Sequence, residues 1–105
     1  MRQFRPIELA DYIQTGHTPV LLDVRELWEW NLCRLPGAVL IPMHEVPTRI
    51  EELNKAAEIV VICHHGVRSY HVARYLETAG FEDIINLSGG VAAWADEVDP
   101  AMPRY

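Results

Sequence analysis

Residues 59–62 read Ile-Val-Val-Ile, four β-branched side chains in succession. Branching at Cβ stiffens a side chain and favours a strand over a helix. No polar residue alternates with the apolar ones, so both faces of this strand need cover. Val20-Leu21-Leu22-Asp23-Val24, Ala38-Val39-Leu40-Ile41 and Ile84-Ile85-Asn86-Leu87 are further short apolar runs. Between them lie segments of helical spacing, punctuated by Gly and Pro. Ile7 to Ile13 starts behind Pro6 and stops before Gly16, and Glu26 to Leu32 reads as a short helix. His44 to about Ala57 carries Val46, Ile50 and Leu53 at helical spacing, with Pro47 tolerated only in a first turn. Ser69 to Ala79 places Val72, Ala73, Leu76 and Ala79 on one face before Gly80, and Val91 to Asp96 is a last short helix. Leu35-Pro36-Gly37 and Ser88-Gly89-Gly90 read as turns, and Asp99 to Tyr105 as an irregular tail. The pattern predicts an α/β fold, a mostly parallel sheet flanked by helices on both faces. The 105 residues suit one domain, 1–105, with one continuous core.

Charge removes several function classes. The 15 acidic side chains outnumber 9 basic ones, for a formal net charge of −6. A nucleic-acid surface or a polybasic membrane patch is not expected from that balance. No apolar run approaches the ~18 residues of a spanning helix. The start, Met1-Arg2-Gln3-Phe4-Arg5-Pro6-Ile7-Glu8, has no apolar stretch behind its positive charge, so no signal peptide is expected. Cys33 and Cys63 are too few for a disulfide framework and read as thiols of a reducing, cytoplasmic compartment.

In parallel sheets the ligand site lies beyond the carboxyl ends of the strands. That directs attention to Asp23 and Arg25, to Cys63 through Arg68, and to Ser88 through Gly90. Cys63-His64-His65-Gly66-Val67-Arg68-Ser69 joins the strongest strand to the strongest helix. Such a turn gathers backbone N–H groups into a concavity, and the helix start adds partial positive charge. The nest stabilises an anion, so a cysteine at its base is set up to react as a thiolate. Gly66 permits a backbone conformation that a Cβ opposes. Arg68 supplies a planar fork of donors that can close the loop or meet an anionic substrate. The plainer reading is that Cys63 is a small buried hydrophobe. It leaves the Gly and the Arg unexplained.

Spacing separates two chemistries. Four residues lie between Cys63 and Arg68. Cysteine-dependent phosphatases use a longer spacer, wide enough for a phosphoryl group. The tighter nest here suits a single sulfur atom carried on the thiolate. Persulfide chemistry also asks less of its surroundings: a thiolate attacks the outer sulfur of a donor such as thiosulfate, and sulfite leaves as a stable anion without a general acid.

At these residues the chain resembles a single-domain rhodanese, a thiosulfate sulfurtransferase. The resemblance runs from about Phe4 to Trp94 in four blocks. Leu22-Asp23-Val24-Arg25-Glu26 resembles the family's Asp-Val-Arg segment, and Leu35-Pro36-Gly37-Ala38-Val39 its Pro-Gly-Ala turn. Cys63 to Ser69 resembles the active loop, and Leu87-Ser88-Gly89-Gly90-Val91-Ala92-Ala93-Trp94 the Gly-Gly and Ala-Trp block. The resemblance implies that Cys63 carries the persulfide. It implies that His64, His65, Gly66, Val67 and Arg68 form the substrate-binding loop. Sulfur would pass from thiosulfate or a similar small donor to cyanide, a thiol or a protein acceptor. Two departures stand out. Cys33-Arg34 replaces the family's usual Gly-His, and the loop carries the pair His64-His65, which leaves the acceptor open.

Other residues carry two readings each. Asp23 and Arg25 either brace the site wall or form a structural ion pair. His64 and His65 border the pocket mouth or are plain loop residues; adjacent residues diverge and zinc signatures leave gaps, so no metal and no cofactor is expected. Cys33 reads as a packed thiol, with a resolving role as the alternative. Trp28 and Trp30 should face different ways, one of them open to a partner, and Trp94 should be core. Asp96, Glu97 and Asp99 read as a solvated end. Against the enzyme stands a non-catalytic rhodanese-like binding module, whose acidic charge would serve a basic partner.

Overall fold

A computed structural model describes all of residues 1–105. Its strands are β1 (Arg2–Phe4), β2 (Val20–Asp23), β3 (Val39–Leu40), β4 (Ile59–Ile62) and β5 (Ile84–Leu87). Its helices are α1 (Pro6–Gln14), α2 (Leu27–Leu32), α3 (Val46–Arg49), α4 (Val67–Thr78) and α5 (Gly90–Glu97), with single 3₁₀ turns at Met43–Glu45 and Ile50–Glu52. The five strands form one sheet in the order β1-β5-β4-β2-β3, and every pairing is parallel. β4 is central and all four of its residues are buried.

The side-chain period of two splits the core into layers. Val60 and Ile62 point with Leu21, Ile85 and Leu87 toward α1 and α5, where Leu9, Val91 and Trp94 meet them. Ile59, Val61 and Cys63 point with Leu22 and Ile84 to the other side, against Val72, Ala73 and Leu76 of α4 and Val46 of α3. This is the two-faced burial expected of unbroken apolar strands. Trp94 is core, as its sequence suggested.

Three segments differ from the sequence reading. β1 was not anticipated: three residues, mostly exposed, held by pairing with β5 at the sheet edge. The stretch from His44 to Ala57 is not one helix. Pro47 stands in the first turn of α3, which lasts four residues before the 3₁₀ turn, and Asn54 then turns the chain, its Oδ1 accepting from the Ala56 N–H at 2.9 Å. Val46, Ile50 and Leu53 nevertheless share one core, so the spacing identified the buried face and not the continuity. α4 begins at Val67 rather than Ser69, which shortens the loop after β4 to Cys63–Gly66. No helix is long and apolar enough to cross a membrane.

Candidate active site

β2 and β4 end level, with Asp23 paired to Ile62, so the segments after them emerge side by side at one sheet edge. Cys63 leaves β4 and is 1% exposed. Gly66 turns the chain into α4 with φ +94°, in the left-handed region, and its N–H donates to Cys63 Sγ at 3.1 Å. A Cβ on Gly66 would lie 3.0 Å from the Gly89 nitrogen, so both the φ and the close approach call for glycine here. The N–H groups of His64, His65, Val67, Arg68 and Ser69 have no hydrogen-bond partner. Five free donors thus flank, along the chain, a sixth that already points at sulfur.

Three of those donors open α4, where a helix offers them no acceptor, and the Gly-Gly block fixes the loop before them. The carbonyls of Cys63 and His64 accept from the N–H groups of Val91 and Ala92 at 2.9 and 3.0 Å, at the start of α5. Gly90 makes this contact possible: a Cβ there would stand 2.4 Å from both carbonyl oxygens. These two bonds and the one from Asn86 to the Gly66 carbonyl hold the loop in place.

Behind the sulfur sits a buried polar pair that sequence reasoning missed. The thiol donates to Ser69 Oγ at 3.3 Å, Ser69 Oγ donates to Asn86 Oδ1 at 2.5 Å, and Asn86 Nδ2 donates to the Gly66 carbonyl at 3.2 Å and to Gln3 Oε1 at 2.9 Å. Both Ser69 and Asn86 lie on buried faces of their elements, Asn86 within an otherwise apolar strand. A polar residue at a fully buried strand position was the available signal.

Arg68 closes the loop by an ion pair. Its two Nη atoms donate to the two carboxylate oxygens of Glu29, on α2, at 2.7 and 2.9 Å. Of the two roles expected for the Arg68 fork, this arrangement fills the first. Arg68, through its hydrogen bonds, holds the Glu29 carboxyl far below its usual range, at about 2. The same Glu29 accepts from the Tyr105 hydroxyl at 2.7 Å, and that hydroxyl accepts from Arg25 Nη1 at 2.9 Å. Burial, then the Glu29 carboxylate, raises the Tyr105 phenol, which stays a donor.

Asp23 and Arg25 are both 0% exposed. Asp23 accepts from Arg25 Nε and Nη2, and Arg25 Nη2 also donates to the Cys33 carbonyl at 2.6 Å. The two readings of this pair meet: it is a structural ion pair, and through Tyr105 and the carbonyls of Glu29 and Cys33 it braces the wall beside the loop. Cys33 itself is a free buried thiol in the core layer opposite that of Cys63, which supports packing over a resolving role.

His64 is half-buried and His65 exposed. Burial, then the neighbouring His65, pushes His64 below the usual imidazole range. The His64 ring stacks on Tyr105 at 3.9 Å, nearly parallel, and lies 4.0 Å from His65. Val67 stands in the first turn of α4 and is exposed. Trp28 is the exposed tryptophan and meets Tyr105 edge-on, while Trp30 lies under the Arg34 guanidinium. The acidic end is not simply solvated: Glu97 pairs with Arg5 and Asp96 with Arg104. No three His, Cys, Asp or Glu side chains converge as metal ligands.

Comparison with known proteins places this geometry. The Rhodanese-like domain family matches residues 6–97. The chain is 36% identical over 100 residues to a putative sulfurtransferase, YtwF, of Bacillus subtilis, covering 95% of this chain and 96% of the relative. It is 35% identical over 102 residues to a probable adenylyltransferase/sulfurtransferase, MoeZ, of Mycobacterium tuberculosis, and there spans only 26% of the relative's length. The crystal structure of a rhodanese-like domain protein from Staphylococcus aureus superposes with a TM-score of 0.85 at 35% identity, covering 93% of this chain and 95% of that one.

Proposed function

This chain belongs to the rhodanese-like family, and from that premise we propose that it transfers sulfane sulfur through a persulfide on Cys63. The observation that carries the reading is the loop itself: Sγ facing the Gly66 N–H at 3.1 Å, with five unpartnered N–H groups flanking that one along the chain. The donor is thiosulfate or a related small anion. The Cys63 thiolate attacks the outer sulfur, the sulfur–sulfur bond of thiosulfate breaks, and sulfite leaves with the electron pair. A new bond joins Cys63 to the transferred sulfur, whose negative charge falls where the loop N–H groups can solvate it. In the second step cyanide, a thiol or a protein nucleophile attacks that outer sulfur. The Cys63–sulfur bond breaks and the thiolate returns. No proton is required by a leaving group, so the step calls on no imidazole of the loop.

Once the thiol proton is gone, the Ser69 hydroxyl can serve the thiolate as a donor by turning its one proton from Asn86 Oδ1 to the sulfur. Arg68 holds the loop closed on Glu29 and contributes positive charge. Asp23 and Arg25 support the wall: the Arg25 guanidinium is committed to Asp23, to the Tyr105 hydroxyl and to the carbonyls of Glu29 and Cys33.

The test is turnover with thiosulfate and cyanide. Cys63→Ser is expected to reduce thiocyanate formation to background while leaving thermal unfolding unchanged. Full activity in that variant would remove Cys63 from the mechanism. Cys63-dependent hydrolysis of an aryl phosphate, with no sulfur transfer, would move the protein to phosphatase chemistry.

A further inference from the structure

Residues beyond the stretch that matches the family lie against the loop. Met102 is buried in the core, and after it Pro103, Arg104 and Tyr105 make no backbone hydrogen bond. Side chains alone hold this end: Arg104 on Asp96 and on the Ala95 carbonyl, and Tyr105 by its ring and hydroxyl. The Tyr105 ring stacks on His64, the residue after Cys63, and its hydroxyl donates to Glu29, the partner of Arg68. Tyr105 therefore bridges the two ends of the loop. Between this segment and the loop is a cavity of ≈ 170 Å³, bordered by His64, His65, Ala92, Asp96, Arg104 and Tyr105. Cys63 itself does not border it, so Tyr105 meets the loop through His64 and through Glu29.

We propose that Tyr105 is a specificity-determining residue, which by docking on His64 and Glu29 narrows the approach to the Cys63 loop and favours small sulfur donors and acceptors over bulky ones. Bulky thiols and protein acceptors reach the loop when the segment from Pro103 swings away, pivoting on the buried Met102. The release is local, because no backbone hydrogen bond need break. Its resistance comes from the ring stack and from two hydrogen bonds to charged groups, Glu29 and Arg25.

This inference rests on the sulfur-transfer reading and names its access route, but access is measurable without sulfur. Reduced protein, wild type, Tyr105→Phe and Tyr105→Ala, is alkylated with iodoacetamide and separately with fluorescein maleimide. Peptide mass mapping follows modification at Cys63 and distinguishes it from Cys33. The ratio of the maleimide rate to the iodoacetamide rate is expected to rise more than about tenfold in Tyr105→Ala, which loses the stack and two hydrogen bonds to charged groups, one of them alone worth about tenfold. Tyr105→Phe keeps the stack and should fall between. Equal acceleration of both reagents would make Tyr105 a mere cover, and an unchanged ratio would deny it any part in access; either overturns the proposal. Should Tyr105→Ala fail to fold, Tyr105→Phe decides alone: a raised ratio supports the proposal and an unchanged one overturns it. A raised ratio in a protein that never loads sulfur would sink the proposed function and leave the access role standing.

Discussion

β2 and β4 are neighbours that end at the same level, yet the segments leaving them are spent differently. After β2, Asp23 and Arg25 are wholly buried, and all three guanidinium nitrogens are hydrogen-bonded. After β4, five N–H groups are left without partners in the stretch that follows Cys63. The first segment is buried and satisfied, as a scaffold requires, and the second leaves its N–H groups open where the chain turns into α4. The difference teaches that the sheet edge divides its labour. One loop is saturated so that its neighbour can remain unsaturated and still hold its shape, and a preorganised, unfilled set of donors is what an anionic intermediate needs.

The comparison breaks most visibly at Arg25. Arg25→Ala leaves Asp23 buried and unpaired, and chemical denaturation should show a loss of about 3–5 kcal/mol. Sulfur transfer should fall only with the folded fraction. A specific activity lost in fully folded protein would show that Arg25 belongs to the open loop and not to the saturated one.

Acid probes the link between the two. The Glu29 carboxyl sits at about 2 in the folded protein, well below its usual 4.5. A depressed carboxyl contributes stability that is complete above its unfolded value and is lost as pH falls toward its folded one. Stability is therefore expected to decline between about pH 4.5 and 2, by on the order of 2–3 kcal/mol from this group. In Glu29→Gln that part of the acid slope should vanish. An unchanged slope would mean that other carboxyls carry the acid sensitivity.

Ser69 sharpens the contrast at smaller cost. Ser69→Ala removes the hydroxyl between Cys63 and Asn86 and should destabilise by about 1–2 kcal/mol. The rate of persulfide formation should drop several-fold, since the thiolate loses one donor and keeps the backbone ones. A rate unchanged within error would assign Ser69 to packing alone.

Much of this was legible in the residues. Ile59–Ile62 and Ile84–Leu87 are apolar runs too short for helices, so the central strands could be read directly. The loop from Cys63 was legible because its Gly and Arg follow a strand at fixed spacing. Glu29 and Tyr105 were not. Their contacts with Arg68, Arg25 and His64 cross from 39 to 80 residues of chain, and no local pattern encodes such pairings. β1 was missed for a related reason: Arg2 to Phe4 has no apolar run of its own, and it becomes a strand only because β5 offers an edge. The His44–Ala57 segment misled in the opposite way. Its spacing marked a buried face, but Pro47 and Asn54 confine regular helix to Val46–Arg49.

The central claim is that the unsaturated loop carries sulfur on Cys63. The most direct test is the intact mass of reduced protein after incubation with thiosulfate. The account predicts a gain of one sulfur atom, mapped to Cys63, removed by cyanide and absent from Cys63→Ser. A folded protein whose Cys63 still reacts with iodoacetamide, yet gains no sulfur from thiosulfate, a persulfide or mercaptopyruvate, would contradict it.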